Sequence, residues 1–330
     1  MGYAQFDPKE HGLRHEEVDG AMRSGARLGY NSEVLEPSLV VVIPTFAPGA
    51  SILPTLTSLE ASVGAWFNQT FTLVLSDSSP VDDITNEARS WAETANCVLV
   101  VDHSYSRRYV KEALNVAFSK KEVSGADLVL VTNDDVVFDV SCVSILMRTL
   151  CEEVSATMVV GCALPDPRYL SGGRRAGAWQ MKAAERIIRR WPATTARAEG
   201  SIWATRGTFA GSYRYPLGSG SISDDIELQN HVLRNGLICL SVAQAVVYKI
   251  PPRGFAEFSI QSRRNFASSI AGEMVLPSKW VKLKVGFICM LGDPLGAIHY
   301  LSYRTFMLLG AGKGSAPSGE RWERASSTWR

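Results

Sequence analysis

The 330-residue chain has no C-x-x-C pair, no Walker A loop and no G-x-G-x-x-G fingerprint. The first absence, with six cysteines scattered and most of them in apolar runs, argues against a disulfide or zinc framework and fits buried free thiols in a reducing compartment. The other two disfavour P-loop kinases and nicotinamide enzymes. There are five histidines, and neither His103 nor His231 has a partner at metal-ligand spacing, so both are read as structural. No apolar stretch reaches the ~20 residues that a bilayer-spanning helix needs. The first thirty residues carry no apolar h-region, so the expected location is cytoplasmic, and the sequon Asn68-Gln69-Thr70 is then chance. Internal repeats and low-complexity tracts are also lacking.

What is present belongs to a folded globular protein: 46% hydrophobic and 20% charged residues, which excludes disorder, collagen and coiled coil. The net charge of +1 hides two opposed halves. Residues 1–165 hold 11 Lys and Arg against 22 Asp and Glu, and residues 166–330 hold 23 against 11. An acidic half suits a metal, and a basic half suits phosphates or an anionic surface. The basic residues of 168–214 lack the aromatic interleaving of a recognisable nucleic-acid module, so no nucleic-acid partner is expected.

Residues 39–43 form a continuous β-branched run stopped by Pro44, the pattern of a strand buried on both faces of a parallel sheet. A helix is expected over 51–66, strands over 72–76 and 97–101 with a helix over 83–94 between them, a helix over 109–120, and a fourth strand over 127–132. The βαβαβαβ order predicts a nucleotide-binding α/β half with ligands at the carboxyl ends of its strands. A helix over 143–154 and a strand over 158–163 follow. The pattern then loosens into a basic, Gly-rich segment ending near Pro216, followed by a helix over 224–235 closed by Gly236 and strands over 237–240 and 245–250.

The most informative element is Asn133-Asp134-Asp135, acidic residues directly at the end of an apolar strand. Carboxylates there are costly unless something binds them, and a hard divalent cation bridging them to a diphosphate would account for both their presence and their position. An Asp-rich turn is the plain alternative.

Read with the other landmarks in order, the stretch from about Leu39 to Phe266 resembles the family 2 glycosyltransferases of the GT-A fold. Val41 to Phe46 resembles the first strand and nucleotide loop, which implies donor contacts at Pro44, Thr45 and Phe46. Asp77 matches the acidic residue that meets the base. Lys111-Glu112-Ala113-Leu114-Asn115 resembles K-x-A-L-N, and Asn133-x-Asp135 stands in place of D-x-D. Asp224-Asp225 resembles the E-D motif that supplies the catalytic base, with Asp225 as base and Asp224 as helix cap. Gln261-Ser262-Arg263-Arg264-Asn265 resembles Q-x-x-R-W, with Asn265 where the family has Trp.

The resemblance implies a Rossmann-like nucleotide-binding half over 39–140 fused to an acceptor-binding and catalytic half over 141–275, sharing a mainly parallel mixed sheet flanked by helices. Residues 1–38 would be an extension and 276–330 a helical, membrane-interfacial segment. It further implies an inverting glycosyltransferase using a nucleoside diphosphate sugar, UDP-linked by family frequency. Mn²⁺ or Mg²⁺ would sit at Asn133 and Asp135, helped by Asp134, with Lys111, Gln261, Arg263 and Arg264 on the diphosphate. The acceptor would be a glycan, a lipid-linked sugar or a small molecule. The lysine-flanked apolar stretches after Lys279, together with the basic half, predict peripheral attachment to an anionic membrane. Two other readings stand beside this one: a nucleotidyltransferase, and a catalytically silent scaffold of the same fold.

Overall fold

The structure, a computed structural model, describes residues 37–46, 51–169, 174, 175, 177–179, 182, 200–217, 224–251 and 298. The expected extension over 1–38 except its last two residues, Gln261, Arg263 and Arg264, and nearly all of the expected C-terminal segment lie outside these residues.

Eight strands form one mixed sheet in the order β3-β2-β1-β4-β7-β6-β8-β5. They are β1 (Leu39–Thr45), β2 (Phe71–Asp77), β3 (Cys97–His103), β4 (Leu128–Thr132), β5 (Val136–Phe138), β6 (Ala156–Pro165), β7 (Ile202–Arg206) and β8 (Ile238–Lys249). Strands β1 to β4 are mutually parallel, and β7 runs antiparallel between β4 and β6. Every residue of β1 is buried, as a β-branched run in the middle of a parallel sheet requires.

Helices cover both faces. Taking them in chain order, α1 (Leu53–Gly64), α2 (Asp83–Ala92) and α5 (Cys142–Glu152) pack Leu56, Leu59, Ile84 and Leu146 on one face, against Val41, Ile43 and Leu73. On the other, α3 (Val110–Phe118), α6 (Gly207–Ser212) and α7 (Asp224–Arg234) bury Leu114, Phe118, Ala210 and Leu228 with Val40, Val42 and Trp203. A one-turn helix, α4 (Lys121–Ser124), follows α3. The pleat of β1 thus divides its side chains between two cores. Helix α7 ends at Gly236, whose φ of 66° is a left-handed conformation that suits glycine.

Two features depart from the sequence expectation. The basic segment before Pro216 contains β7 and α6, because Ile202-Trp203-Ala204-Thr205 is an apolar run too short and too closely flanked by polar residues to announce a central strand. The two expected strands after Gly236 are one strand, β8, whose register against β6 shifts between Val160 and Cys162. Arginines of the basic segment also bond to the protein's own backbone: Arg206 Nη2 donates to Leu150 O in α5 at 2.9 Å, and Arg214 Nη1 donates to Gly211 O in α6 at 2.9 Å. Both neutralise carbonyls at helix C-termini. Among the described residues no helix is long and apolar enough to cross a membrane.

Candidate functional site

The order β3-β2-β1-β4 puts a topological switch point between β1 and β4, where the chain leaves in opposite directions and α/β sheets generally take their ligands. The register aligns the carboxyl ends: Thr45 pairs with Asp77, and Asp77 with His103. The Asn133-Asp134-Asp135 turn ends β4 on the other side of β1.

Within that turn the two carboxylates have different fates. Asp134 points toward β1, where its Oδ2 accepts a hydrogen bond from Thr45 Oγ1. Burial, and then the charge of Asp135, push the Asp134 carboxyl up to about 6 against the opposing pull of Thr45 and Lys249. Its backbone carbonyl lies 2.8 Å from Thr55 Oγ1 of α1, which also sits 2.7 Å from Val136 O, so one hydroxyl serves both sides of the turn. Asp135 turns outward, with its side chain 51% exposed.

Ser201, the residue before β7, holds the turn from the other side. Its carbonyl accepts from Thr132 Oγ1 at 2.9 Å and from Asn133 N at 3.3 Å. Lys249, the last residue of β8, completes the surround: its Nζ lies 3.5 Å from Asp135 Oδ1 and donates to Ser201 Oγ at 3.1 Å.

Asp225 reaches this end of the sheet through Gly200. A Cβ on Gly200 would lie 3.4 Å from Asp225 Cβ and 3.5 Å from Asp225 Oδ2, so the carboxylate packs against the backbone one residue from Ser201. Asp224 and Asp225 both sit in the first turn of α7, where carboxylates are favoured.

The K-x-A-L-N stretch packs α3 against the segment that carries Asp225. Lys111 Nζ is ion-paired with Glu227 Oε2 of α7, and each side chain is 14% exposed. Four residues on, Asn115 makes a reciprocal pair with Tyr215: Asn115 Nδ2 donates to Tyr215 O at 2.8 Å and Tyr215 N donates to Asn115 Oδ1 at 2.7 Å. One face of α3 therefore grips the chain on either side of the Asp225 turn. In the unliganded protein the ammonium of Lys111 thus meets a carboxylate of α7, and its expected contact with the diphosphate would need it to leave or share that partner.

Asp77 is also drawn inward. The residue has no exposed surface, and its carboxylate accepts from Ser79 N at 2.8 Å and Thr85 Oγ1 at 2.9 Å. It ties the β2 loop to α2 in the unliganded protein. His103 supports the same loop, with Nδ1 2.7 Å from Asp82 Oδ1 and Nε2 donating to Ser79 O at 2.9 Å.

Phe46, just beyond β1, packs its ring under Arg107, whose guanidinium carbon is 4.6 Å from the ring centroid; the ring of Tyr109 is 5.9 Å from the same carbon. Pro44 is a residue of β1 itself, paired with Ser76. Sequence reasoning missed Arg107, Ser201, Glu227 and Lys249. Only Lys249 had a readable signal, a charge at the end of an apolar strand, the same signal that marked Asp135.

The β4 end carries an amide side chain at Asn133 and an outward carboxylate at Asp135. Among the described residues no group of three His, Cys, Asp or Glu could hold a metal alone. One outward carboxylate is a partial oxygen set, and Mg²⁺ or Mn²⁺ there would have to take its remaining oxygens from waters and a diphosphate.

No protein-family model matches the chain, and no curated protein matches its sequence. Solved structures resemble it, and the first of the two that follow shares its fold. A mannosyltransferase from Pyrobaculum calidifontis, in complex with GDP-Man and Mn²⁺, aligns over 89% of this chain and 81% of its own with a TM-score of 0.53 at 17% identity. A glucosyl-3-phosphoglycerate synthase from Mycobacterium tuberculosis, in complex with Mn²⁺, UDP and phosphoglyceric acid, aligns over 74% and 81% with a TM-score of 0.43, also at 17% identity. The fold it shares with the mannosyltransferase structure is α/β, a mostly parallel mixed sheet flanked by helices, and is similar to that of GT-A glycosyltransferases.

Proposed function

We propose that the chain is an inverting glycosyltransferase that moves a sugar from a nucleoside diphosphate sugar to an acceptor hydroxyl. The observation that carries this reading is the packing of Asp225 on Gly200. That contact brings a helix-start carboxylate to the chain segment that also anchors the Asn133-Asp134-Asp135 turn. A donor lying at the switch point between β1 and β4 has its diphosphate at Asp135 and its sugar toward Asp225.

In the reaction the acceptor oxygen bonds to the anomeric carbon from the face opposite the leaving group. The bond from that carbon to the β-phosphate oxygen breaks, its electron pair leaves with the nucleoside diphosphate, and the acceptor proton passes to Asp225. Asn133 and Asp135 would hold a divalent cation, whose contribution when bound is neutralisation of charge growing on the diphosphate. Thr45 and Thr55 keep the turn in shape, and Phe46 with Arg107 lines the donor side. Gln261, Arg263 and Arg264 are retained as diphosphate contacts on the resemblance alone.

The donor is a UDP-sugar by family resemblance, and the GDP-Man complex of the structural relative makes GDP-sugars the second class to test. The acceptor class is a glycan, a lipid-linked sugar or a small hydroxylated molecule. Cytoplasmic location with peripheral attachment to anionic membranes is part of the same proposal and rests on the lysines from Lys279 to Lys284. Flotation with anionic vesicles at low salt supports attachment, and protein left at the bottom of the gradient overturns it.

Thermal shift with UDP and GDP at increasing Mn²⁺ tests the reading, because a ligand that binds only the folded state raises the melting temperature by mass action. A Mn²⁺-dependent shift that Asp135→Ala removes is expected. No shift with either nucleotide at any Mn²⁺ concentration favours the silent scaffold instead.

A further inference from the structure

The carboxylate best placed to receive a divalent cation already faces a cation belonging to the protein. Lys249 is held by strand pairing on both sides, to Val136 of β5 and to Pro165 of β6, and its carbonyl accepts from Asp166 N at 2.8 Å. Its pairing with Val136 sets it beside Asp135. The side chain is 23% exposed and its Nζ has two partners: Asp135 Oδ1 at 3.5 Å, and the hydroxyl of Ser201, a residue 2% exposed, at 3.1 Å.

An exposed ion pair of this kind adds little to stability. Its importance lies in where the charge sits. An ammonium and a divalent ion cannot both take the outward carboxylate at close range without repelling each other through the few ångströms between them. Ser201 offers the ammonium a hydrogen-bond partner that stays when Asp135 is taken.

We propose that Lys249 is a built-in competitor for the metal position: it neutralises Asp135 in the unliganded protein and is displaced toward Ser201 when a divalent cation binds. Metal alone therefore binds weakly. A diphosphate, by adding negative charge beside the lysine, relieves the repulsion and makes metal and nucleotide bind cooperatively. This rests on the proposed donor site and adds a residue that sets its metal affinity.

The test is Mn²⁺ binding to the full-length protein without nucleotide, read from the electron paramagnetic resonance signal of the free aquo ion. Lys249→Met is expected to bind Mn²⁺ about tenfold more tightly than the parent, since one like charge is removed at close range. Lys249→Arg, which keeps the charge, is expected to bind as the parent does. The gain from Lys249→Met is expected to disappear in an Asp135→Asn background, because the two residues act on one another, and to shrink as ionic strength rises. Melting curves confirm that each variant is folded, and Lys249→Arg keeps the comparison valid if the Met variant is not. Equal or weaker Mn²⁺ binding by Lys249→Met, or weakening by Lys249→Arg of the size seen on losing a ligand, overturns the proposal. Such a result alongside normal Mn²⁺-dependent nucleotide binding leaves the glycosyltransferase reading intact. Loss of nucleotide binding by the parent protein itself is the failure of that reading.

Discussion

Thr45, the last residue of β1, donates its hydroxyl to the Asp134 carboxylate beyond β4, joining the two strands across the switch point of the sheet. This bond aims Asp134 into the protein, while Asp135 turns outward. Of two adjacent carboxylates, one is thereby turned into the protein and the other stays exposed.

Thr45→Val should expose that division of labour. The substitution keeps the β-branched shape of a buried strand residue but leaves the Asp134 oxygen without its donor, a loss worth about 1–3 kcal/mol for a buried polar group. Chemical denaturation should show a destabilisation of this size, and Mn²⁺-dependent nucleotide affinity should fall as the turn loosens. Unchanged stability and affinity together would show that the bond does not organise the turn.

The Lys111–Glu227 pair joins α3 to α7, and its test separates a structural lysine from a phosphate-binding one. Removing one partner of a largely buried pair leaves an uncompensated charge and typically costs about 3–5 kcal/mol. Lys111→Met and Glu227→Gln should both lower the unfolding midpoint, and the double substitution should cost less than the sum of the two. A Lys111→Met protein of parental stability that has lost nucleotide affinity would return Lys111 to the diphosphate.

Much of the N-terminal half of the sheet was legible in the sequence because parallel central strands are continuous apolar runs. The expected strand over 39–43 is Leu39–Thr45, and that over 127–132 is Leu128–Thr132. The central antiparallel strand β7 was not legible, since five residues among basic neighbours carry no period long enough to read. The site was legible as far as single residues announce themselves. Asp135 stands out because a charge at the end of an apolar strand is conspicuous. Partnerships were not legible: that Lys111 meets Glu227 116 positions away, and that Lys249 meets Asp135, depends on how helices and strands dock across the sheet.

Acid sensitivity should have one traceable source at β3. Burial acts to raise the Asp102 carboxyl, but Arg108, hydrogen-bonded to it, and Lys120, with Nζ at 3.4 Å, outweigh that effect and hold it below the ordinary carboxylate value. A carboxylate lowered in the folded state favours the folded form above its unfolded pKa of about 3.9, and loses that contribution as pH falls through the folded value. Asp102→Asn should therefore flatten the dependence of stability on pH below about 4 while the parent declines there. Parallel curves for the two proteins would show that the cluster does not bias folding.

The central claim is transfer of a sugar with Asp225 as the base, and the most direct measurement is product analysis of the full chain incubated with Mn²⁺, UDP- or GDP-sugars and a panel of glycan, lipid-linked and small acceptors. The account predicts release of nucleoside diphosphate with an inverted glycosidic product. Asp225→Asn should lower turnover by roughly 10²- to 10⁴-fold, the usual worth of general-base assistance, while donor binding stays near the parent's. Asp224→Asn should cost far less, since it removes only a favourable charge from the first turn of α7. Pyrophosphate in place of nucleoside diphosphate, or an Asp225→Asn protein as active as its parent, would contradict it.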